Sequence, residues 1–274
     1  MISDPEKVSR LIADVAAVEI MPRFRKLESH HVIEKAAGDL VTIADRAAEE
    51  RLTAALADLL PGSTVVGEEA VAADQSLLDR LSGDRPVWII DPIDGTTNFI
   101  EGRSEFAVMV CLAQQGELVA SWIHRPVTGA TATAEAGGGA WMEGARVQLR
   151  PPPHAAADMS GSLLAGTFGN PQYNKRIQQR RNQVQTVRSS HSAAIEYWRL
   201  LLGDLHFSLF TKLMPWDHAA GVLLHREAGG HGGYIDKGDA YVPADMHRPG
   251  LLLAPSEAAW RKLHGTLLGD TARL

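Results

Sequence analysis

The sequence predicts a mixed α/β protein in which layers of helix and sheet pack on one another. Short apolar segments typical of strands alternate with segments whose apolar residues recur at helical spacing. No single strand–helix period runs through the chain, so the arrangement is predicted to be mixed rather than regularly repeating. The length of 274 residues, 45% of them hydrophobic, suffices for one or two domains with a large buried core.

Two helices are predicted near the beginning of the sequence. Ser3-Asp-Pro-Glu6 resembles a helix start, because its serine or aspartate can cap the helix and its proline is tolerated in the first turn. Thr42-Ile-Ala-Asp45 is a capping box for the second helix, and Pro61-Gly62 ends that helix. The apolar positions at helical spacing are Val8, Leu11, Ile12, Val15 and Val18 in the first helix and Leu52, Leu56 and Leu59 in the second.

Apolar segments in the next part of the chain are predicted strands. Gln115-Gly116 joins two of them as a hairpin, and Ala136-Gly-Gly-Gly139 is a loop or tight turn. The predicted strands are Thr64–Val66, Val87–Ile90, Phe106–Ala113, Leu118–Ile123 and Arg146–Leu149.

Pro151-Pro-Pro153 is the clearest break in composition, and we take it as the boundary between two halves, residues 1–150 and 151–274. The polar stretch Tyr173–Gln185 predicts a solvated helix or a mobile segment. Strands are predicted at Ser162–Ala165, Leu205–Leu209 and Leu251–Ala254. Helices are predicted at Ala193–Leu202, closed by Gly203, at Trp216–Ala228, entered through Pro215 and closed by Gly229-Gly230, and after a cap at Ser256.

Composition and charge argue against some classes of protein. The net charge of −6 argues against a dedicated nucleic-acid binder, which usually carries a basic stripe. A phosphate substrate remains compatible, because bound cations can reverse the sign of an acidic site. Cys111 is the only cysteine, so no intramolecular disulfide can form, and its apolar surroundings predict a buried, unreactive thiol.

The sequence shows no signal for secretion or for a membrane span. Charged residues occur among the first seven residues, and no apolar segment typical of a signal peptide follows them. No apolar stretch approaches the roughly 18 residues that a spanning helix needs. We therefore expect a cytoplasmic protein that binds neither membrane nor nucleic acid.

The segment around residues 87–99 carries the strongest chemical signal. An apolar strand ends at two carboxylates, Asp91 and Asp94, and buried carboxylates need a counter-charge such as a hard divalent cation. The Gly95-Thr-Thr97 turn that follows can offer backbone N–H groups and a hydroxyl to an anion. A metal cradle beside an anion site indicates metal-assisted phosphate chemistry.

Two further acidic sites complete the candidate set, Gly67-Glu-Glu69 after a predicted strand and Asp217 at a predicted helix start. Ordinary structural explanations remain open for all of them. Asp217 can be a helix cap or dipole partner, the glutamates can be solvated, and Asp-Pro and Asp-Gly pairs commonly form turns. The strand that delivers both Asp91 and Asp94 to one place favours the metal hypothesis.

Four segments in order resemble the inositol monophosphatase family, the lithium-sensitive, magnesium-dependent phosphatases. The similarity runs from about Lys35 to Gly230. The segments are Lys35-Ala-Ala-Gly-Asp-Leu-Val-Thr-Ile-Ala-Asp45, Gly67-Glu-Glu69, Asp91-Pro-Ile-Asp-Gly-Thr-Thr-Asn-Phe99, and Trp216-Asp-His-Ala-Ala-Gly221 with Glu227-Ala-Gly-Gly230.

The resemblance implies a metal-dependent phosphomonoesterase that uses two to three Mg²⁺ ions. Glu68, Asp91 and the main-chain carbonyl of Ile93 would hold the first ion. Asp91, Asp94 and Asp217 would hold the second, and Glu68 would help to bind a third ion more weakly.

The resemblance also implies roles for residues that contact the substrate. The Gly95 and Thr96 N–H groups would hold the phosphate, and Glu68 and the Thr96 hydroxyl would orient and activate a water molecule. The residues facing the alcohol part of the substrate would be Asp94, Ala193 and Asp217. By default that substrate would be myo-inositol 1-phosphate.

The fold implied by the resemblance is a layered αβαβα sandwich, usually a homodimer. An α+β N-terminal half would donate Glu68, Asp91 and Asp94, and an α/β C-terminal half would donate Asp217. The site would then lie in the cleft between the halves, a common location for small-molecule sites.

The chain departs from the family pattern around the alcohol half of the substrate. Phe210 stands seven residues before Asp217, where many inositol-processing relatives have a glutamate that contacts inositol hydroxyls. His191 stands where relatives often have glycine, and it either lies near the substrate or is an ordinary loop residue. The segment Ala165-Gly-Thr-Phe-Gly169 and Glu101 also differ from the common forms.

These departures leave alternatives open. The substrate can instead be histidinol phosphate, a nucleotide 3′-phosphate or fructose 1,6-bisphosphate. Lys212 and Arg188 either supply positive charge near the pocket or are solvated side chains. A different class of function is a regulatory protein that binds the transcription machinery, as some bacterial relatives do.

Overall fold

Two large β-sheets and one small hairpin form the framework of the described chain. The structure is a computed structural model, and it describes residues 4–28, 31–36, 39–164 and 170–269. The hairpin pairs β1 (Val32–Ala36) with β2 (Asp39–Thr42) in antiparallel fashion. It leads directly into the second helix of the chain.

The larger sheet has seven strands within the described residues. In chain order they are β3 (Thr64–Gly67), β4 (Val87–Asp94), β5 (Ala107–Gln114), β6 (Glu117–Arg125), β7 (Ala130–Glu135), β8 (Gly139–Met142) and β9 (Ala145–Val147). Their order in the sheet is the same as their order in the chain. Strands β3 and β4 are parallel, and every later neighbouring pair is antiparallel.

The smaller sheet has five strands within the described residues. They are β10 (Ser160–Leu164), β11 (Gln185–Thr186), β12 (Phe207–Phe210), β13 (His231–Tyr234) and β14 (Leu251–Ala254). Their order in the sheet is β11-β10-β12-β14-β13. Strands β10 and β12 are parallel, so their carboxyl ends meet at the same edge of the sheet.

Helices of the α type flank both large sheets. They are α1 (Pro5–Val15), α2 (Ile43–Leu59), α3 (Glu68–Ala73), α4 (Thr96–Ile100), α5 (Pro171–Arg180), α6 (Ala193–Leu202), α7 (Pro215–Glu227) and α8 (Glu257–Leu268).

Three apolar cores show that these elements form five layers, α–β–α–β–α. The first core joins helices α1 and α2 to one face of the seven-stranded sheet. The second fills the space between the other face of that sheet, helices α6 and α7, and the five-stranded sheet. The third packs helix α8 and part of α5 on the outer face of the five-stranded sheet. The predicted αβαβα sandwich is therefore confirmed.

Four predicted helix starts and the predicted end of helix α6 agree with the structure. Asp4 caps α1, and its carboxylate accepts a hydrogen bond from the Glu6 N–H. The Thr42–Asp45 capping box is formed at the start of α2. Helix α6 spans the predicted residues and ends at Gly203, which adopts the left-handed conformation with φ +80° that glycine tolerates. Ser256 caps α8 as predicted.

The first helix differs from its predicted periodicity at Val18. The chain continues from α1 into a π-helical turn at Ala16–Ile20. A π-helical turn takes more residues per turn than an α-helix, and this shifts which side chains face inward. Ala16 and Ile20 are buried, whereas Val18 is 48% exposed. The apolar run alone does not reveal this shift.

Several strands were not predicted or were placed differently. Strand β7 has the sequence Ala-Thr-Ala-Thr-Ala-Glu, whose small buried alanines give no apolar run. The predicted strand Arg146–Leu149 is instead β9, which ends at Val147. The predicted strand at Leu205–Leu209 is β12 and begins two residues later. Of the predicted Ser162–Ala165 strand, Ala165 lies outside the described residues.

The structure also tests the predictions for the polar segment, for the cysteine and for membrane-spanning helices. The Tyr173–Gln185 stretch is largely helical, since α5 covers Pro171–Arg180, so the solvated-helix alternative is the right one. Cys111 is buried in β5, and burial raises the pKa of its thiol, as expected for an unreactive cysteine. Within the described ranges, no helix is both long and apolar enough to cross a bilayer.

Candidate active site

Strand β4 carries the first two candidate carboxylates, because it continues past the predicted end at Ile90 to Asp94. Asp91 is 2% exposed and Asp94 is 7% exposed. The pairing of β4 with β5 is irregular between these two residues, so the strand is bulged where they lie. Bulges re-aim side chains, and this one lets both carboxylates face the same place.

Helix α7 brings the third carboxylate from the C-terminal half of the chain. Asp217 lies in the first turn of α7, which begins at Pro215. One oxygen of each of Asp91, Asp94 and Asp217 lies within 4.8 Å of the other two. The structure thus brings together three predicted residues, although Asp91 and Asp217 are more than a hundred positions apart in the sequence.

Burial raises the pKa of two of these carboxyls, and repulsion from neighbouring carboxylates raises that of Asp91 further. The pKa of Asp91 is raised well above its ordinary value, first by burial and then by the charges of Glu68, Asp94 and Asp217. Burial also raises the pKa of Asp94, against the lowering effect of the hydrogen bonds it accepts. A site where several carboxylates lie close together and are largely buried is suited to a cation.

Glu68 lies beside the three-carboxylate group rather than within it. It begins helix α3 and is half-buried, and it exerts the largest charge effect on Asp91. The turn that carries it is held by Glu49, which accepts hydrogen bonds from the N–H groups of Glu69 (2.8 Å) and Ala70 (2.7 Å). A Cβ at Gly67 would lie 2.4 Å from the Glu49 carboxyl carbon, so this approach requires glycine.

The first turn of α6 binds the Asp94 carboxylate. The Ser192 hydroxyl donates a short hydrogen bond to Asp94 Oδ2, and the Ala194 N–H donates to the same oxygen at 2.8 Å. The Ala193 N–H donates to Asp94 Oδ1 at 3.2 Å. Ala193, predicted to face the substrate, is therefore in direct contact with one of the candidate ligands and is half-buried.

Gly95 makes a sharp turn between β4 and helix α4. Its φ is +93°, and a Cβ there would lie 2.8 Å from the Glu105 carbonyl oxygen, so both conformation and space require glycine. Helix α4 begins at the next residue, Thr96, with its first N–H groups unpaired within the helix. Backbone N–H groups at such a turn can bind an anion.

The Thr96 hydroxyl lies between the Ile93 carbonyl, a predicted metal ligand, and the carboxyl group of Asp45, which was not among the predicted site residues. It is 3.0 Å from the Ile93 carbonyl oxygen and 3.3 Å from Asp45 Oδ1. Asp45 is 1% exposed, and burial raises its pKa to about 7. Its other oxygen accepts hydrogen bonds from the Thr42 N–H and hydroxyl.

Sequence reasoning assigned Asp45 only to the capping box and so missed its second contact. The capping role uses one carboxyl oxygen, and the other is left to reach Thr96, 51 positions away. Burial of an acidic capping residue would have indicated a second role for Asp45, but burial cannot be read from the sequence. Ile93, the other partner of Thr96, also donates its N–H to Asp91 Oδ1 at 3.0 Å.

Phe210 lies in the core, behind the first turn of α7. It was expected at the alcohol half of the substrate, but it is 3% exposed and its ring stacks on Tyr197 at 5.5 Å between ring centres. The His218 ring packs edge-on against it at 4.7 Å. Burial lowers the pKa of His218 to about 4, so the ring is neutral at physiological pH.

The other departures from the family pattern, and the two basic residues considered for the pocket, lie on the surface or outside the described residues. His191 is exposed and holds a left-handed backbone with φ +59°. Lys212 and Arg188 are both exposed, and Lys212 lines a cavity of about 570 Å³. Glu101 is exposed and forms an ion pair with Arg103. Residues 165–169 lie outside the described chain.

The donor set fits a hard divalent cation. All of the clustered side chains are carboxylates, and Mg²⁺ prefers carboxylate, carbonyl and water oxygens at near-octahedral geometry. Burial and the negative charges of Glu68, Asp94 and Asp217 raise the pKa of Asp91, and a compensating positive charge would offset this effect. A bound cation would supply that charge and stabilise the ionised carboxylates.

Comparison with known proteins agrees with the site geometry. The sequence profile of the inositol monophosphatase family matches residues 4–273. This chain belongs to the inositol monophosphatase family. It is 33% identical over 243 residues to an inositol-1-monophosphatase of Mesorhizobium japonicum, covering 88% of this chain and 87% of that one.

Other members of the family have different names. The chain is 34% identical over 220 residues to the Nus factor SuhB of Pseudomonas aeruginosa, covering 76% of this chain and 78% of that one. A solved structure of a Thermotoga maritima IMPase superposes with a TM-score of 0.76 at 24% identity, covering 95% of this chain and 96% of that one. That likeness confirms the fold.

Proposed function

We propose that this protein is a Mg²⁺-dependent phosphomonoesterase that hydrolyses a small polyol phosphate, with myo-inositol 1-phosphate as the first candidate. The observation that carries the proposal is the approach of Asp91, Asp94 and Asp217 to within 4.8 Å of one another. Two of these carboxylates come from a strand of the seven-stranded sheet, and the third comes from a helix in the layer between the two sheets. Membership of a phosphatase family gives the cluster its chemical meaning.

Two to three Mg²⁺ ions are proposed, with the ligands that the family pattern implies. The first would be held by Glu68, Asp91 and the Ile93 carbonyl, and the second by Asp91, Asp94 and Asp217. The charge of Glu68 on Asp91 and the closeness of the Asp91, Asp94 and Asp217 carboxylates support this set. When bound, the cations would lower the pKa of the attacking water and neutralise charge on the phosphoryl and leaving oxygens.

The chain's own groups would position the phosphate and move the proton. The N–H groups of Gly95 and Thr96 would bind phosphoryl oxygens at the start of α4. The Thr96 hydroxyl, together with Glu68, would orient the attacking water. Asp45, 3.3 Å from that hydroxyl and with its pKa raised to about 7, is placed to accept a proton through Thr96.

The alcohol half of the substrate is proposed to lie against Asp94, Ala193 and Asp217. Phe210 cannot accept a hydrogen bond from an inositol hydroxyl, and its ring is turned into the core. The substrate would therefore make fewer polar contacts on that side than in relatives that have a glutamate at this position. For this reason histidinol phosphate, nucleotide 3′-phosphates and fructose 1,6-bisphosphate remain in the substrate test.

The deciding experiment is phosphate release from a panel of phosphomonoesters with Mg²⁺ and then with a chelator. The panel contains inositol 1-phosphate, histidinol phosphate, fructose 1,6-bisphosphate, 3′-AMP and glycerol 2-phosphate. We expect Mg²⁺-dependent turnover with one preferred substrate, and inhibition by millimolar Li⁺. Folded protein that binds Mg²⁺ yet turns over none of the panel would overturn the proposed function.

A regulatory role is the second candidate, because a relative of comparable identity is named a Nus factor. The composition of one segment also favours it. Residues 159–195 contain five Lys or Arg residues and no Asp or Glu, in a chain whose net charge is −6. Lys175 and Arg181 in this segment are exposed. Exposed basic side chains suit an acidic partner.

The two candidates are separable with the Asp91→Asn variant. A regulatory role that is independent of catalysis would persist in this variant, whereas a catalytic role would be lost. Complementation of a strain that lacks the protein, by wild type and by the variant, reports which role the cell uses.

We also propose that the protein is a cytoplasmic homodimer. Within each chain, the boundary between the N-terminal and C-terminal halves is proposed to lie at Pro151–Pro153. In support of the boundary, the strands of the seven-stranded sheet end by Val147 and those of the five-stranded sheet begin at Ser160. The dimer is the state that the family resemblance implies. Light scattering coupled to size-exclusion chromatography would report a mass near twice 29.6 kDa, and a mass near 29.6 kDa would refute it.

A further inference from the structure

A buried hydrogen bond between Tyr197 and His218 joins the two helices that carry or hold the candidate ligands. Tyr197 lies on α6 and is fully buried, and His218 lies on α7 and is 1% exposed. The Tyr197 hydroxyl oxygen is 3.1 Å from His218 Nδ1. The other ring nitrogen of His218, Nε2, is 2.8 Å from the Lys212 carbonyl oxygen.

These contacts fix the direction of both hydrogen bonds. A carbonyl oxygen can only accept, so Nε2 carries the proton that it donates to the Lys212 carbonyl. In the neutral ring Nδ1 is then an acceptor, and the Tyr197 hydroxyl donates to it. Both ring nitrogens are used, and neither contact can be exchanged for water because the groups are buried.

Packing holds the two side chains in this arrangement. The Tyr197 ring stacks on Phe210 with 18° between the planes, and the His218 ring meets Phe210 edge-on. The Tyr197 ring also occupies the space above Gly221, where a Cβ would lie 2.1 Å from its Cδ2 atom. Neither ring can rotate without disturbing the core.

The pair joins helix α6, whose first turn binds the Asp94 carboxylate, to helix α7, which carries Asp217. One turn before Tyr197, the first turn of α6 binds the Asp94 carboxylate through Ala193 and Ala194. His218 follows Asp217 in the chain, and its bond to Lys212 ties the loop that enters α7. A shift between α6 and α7 would therefore change the separation of the Asp94 and Asp217 carboxylates.

We propose that Tyr197 and His218 are positioning residues that set the separation of the Asp94 and Asp217 carboxylates, and thereby the affinity for the divalent cation that both would bind. This inference rests on the proposed metal site. Mutation of groups that hydrogen-bond metal ligands typically changes metal affinity or activity by about 10- to 100-fold, and we take the lower end because this pair acts through the helices that carry or bind the ligands.

The test measures Mg²⁺ binding to the metal-free full-length protein by isothermal titration calorimetry. Tyr197→Phe removes the hydroxyl and keeps the ring. Tyr234→Phe is the matched control, because the Tyr234 side chain is also buried and its hydroxyl bonds the backbone of Val242, in the loop after β13, at 2.9 and 3.0 Å. We expect Tyr197→Phe to weaken Mg²⁺ binding about tenfold and Tyr234→Phe to leave it unchanged.

A second variant covers the case in which Tyr197→Phe does not fold. His218→Phe keeps an aromatic ring against Phe210 but has neither a donor nor an acceptor, so it breaks the bond to Tyr197 and should also weaken Mg²⁺ binding. Where all three proteins fold, the double variant should bind Mg²⁺ no more weakly than the weaker single variant, because both changes break the same bond. The Mg²⁺ requirement of kcat should rise in parallel, with KM little changed.

The outcomes separate this inference from the proposed function. Wild-type affinity for Mg²⁺ in both Tyr197→Phe and His218→Phe would refute the positioning role while wild-type turnover stands. A wild-type protein that binds no Mg²⁺ and releases no phosphate would overturn the proposed function, and this inference with it.

Discussion

The Ser192 hydroxyl, at the start of helix α6, donates a hydrogen bond to the Asp94 carboxylate at the end of strand β4. The same hydroxyl oxygen accepts the Ile195 N–H at 3.2 Å and so also caps the helix. One side chain therefore stabilises α6 and orients a candidate ligand from the other half of the chain. Capping alone would not require an acidic partner, so the contact with Asp94 links the helix to the candidate active site.

Removing this hydroxyl should affect both stability and metal use. Ser192→Ala loses the cap, at a cost of about 1 kcal/mol in the free energy of unfolding. It also leaves Asp94 with fewer donors, so the Mg²⁺ concentration that gives half-maximal phosphate release should rise. Urea unfolding and Mg²⁺ titration of activity measure the two effects.

Ser256→Ala is the control for this prediction. Ser256 caps α8 through an equivalent bond to the Ala259 N–H at 3.2 Å, and it lies on a helix outside the candidate active site. It should cost similar stability and leave the Mg²⁺ requirement unchanged. An equal change of Mg²⁺ requirement in both variants would show that Ser192 acts through helix stability alone.

Asp91→Asn should separate catalysis from folding. Asp91 is the carboxylate proposed to be shared by two cations, so its loss should reduce turnover by about a thousandfold or more. The metal-free protein should melt no lower than wild type, because a buried carboxylate repelled by Glu68 and Asp94 has been removed. The exposed Asp84→Asn is the control and should keep full activity. Substantial turnover by Asp91→Asn at saturating Mg²⁺ would contradict the shared-ligand assignment.

The metal-free protein should become less stable as pH rises from about 4 to about 7. Burial raises the pKa of Asp45 and of Glu49 to about 7, above the unfolded value near 4. The folded state then binds more protons than the unfolded state within this window. The stabilisation is fully present below the unfolded pKa and is lost through the folded pKa, by up to about 1.4 kcal/mol per pH unit for each group.

Glu49→Gln tests this pH dependence. Urea unfolding in chelator at pH 5, 6 and 7 should show a shallower decline for the variant than for wild type. The exposed neighbour Glu50→Gln, on the same helix, should decline as wild type does. A wild-type slope in Glu49→Gln would mean that the buried carboxyl does not take up a proton on folding.

The sequence predicted best what depends on local order. Helix caps, the Gly203 stop and the apolar strands were correct because each signal lies within a few neighbouring residues. The strand carrying Asp91 and Asp94 was recognised for the same reason. Its extension through both aspartates was not, because the bulge depends on pairing with β5.

Contacts between distant segments could not be predicted from the sequence. The bond of Thr96 to Asp45 and the hydrogen bonds from α6 to Asp94 join residues 51 and about a hundred positions apart. Phe210 was expected beside the substrate from its distance to Asp217 along the chain. The structure turns its ring away because Tyr197 and His218 offer an aromatic surface on the core side.

The Thr96 hydroxyl should be required for turnover in a way that its methyl group is not. Thr96→Val keeps the shape but removes the hydroxyl that contacts both the Ile93 carbonyl and Asp45. Because a positioned proton-transfer group typically contributes about 10² to 10⁴ in rate, kcat should fall within that range. Thr96→Ser keeps the hydroxyl and should retain most of the activity. The measurement is kcat with the preferred substrate at saturating Mg²⁺.

Asp45→Asn distinguishes proton transfer from simple hydrogen bonding by Thr96. The amide can still contact the Thr96 hydroxyl but cannot accept a proton. If Asp45 takes the proton, the variant should lose turnover much as Thr96→Val does, and Thr96→Val should add little in the double variant. If the Thr96 hydroxyl only orients the water, Asp45→Asn should turn over as fast as wild type. Asp45→Asn also changes the hydrogen bonds between Asp45 and Thr42 at the start of α2. The melting temperature of each variant is therefore compared with that of Thr96→Ser, which keeps those bonds.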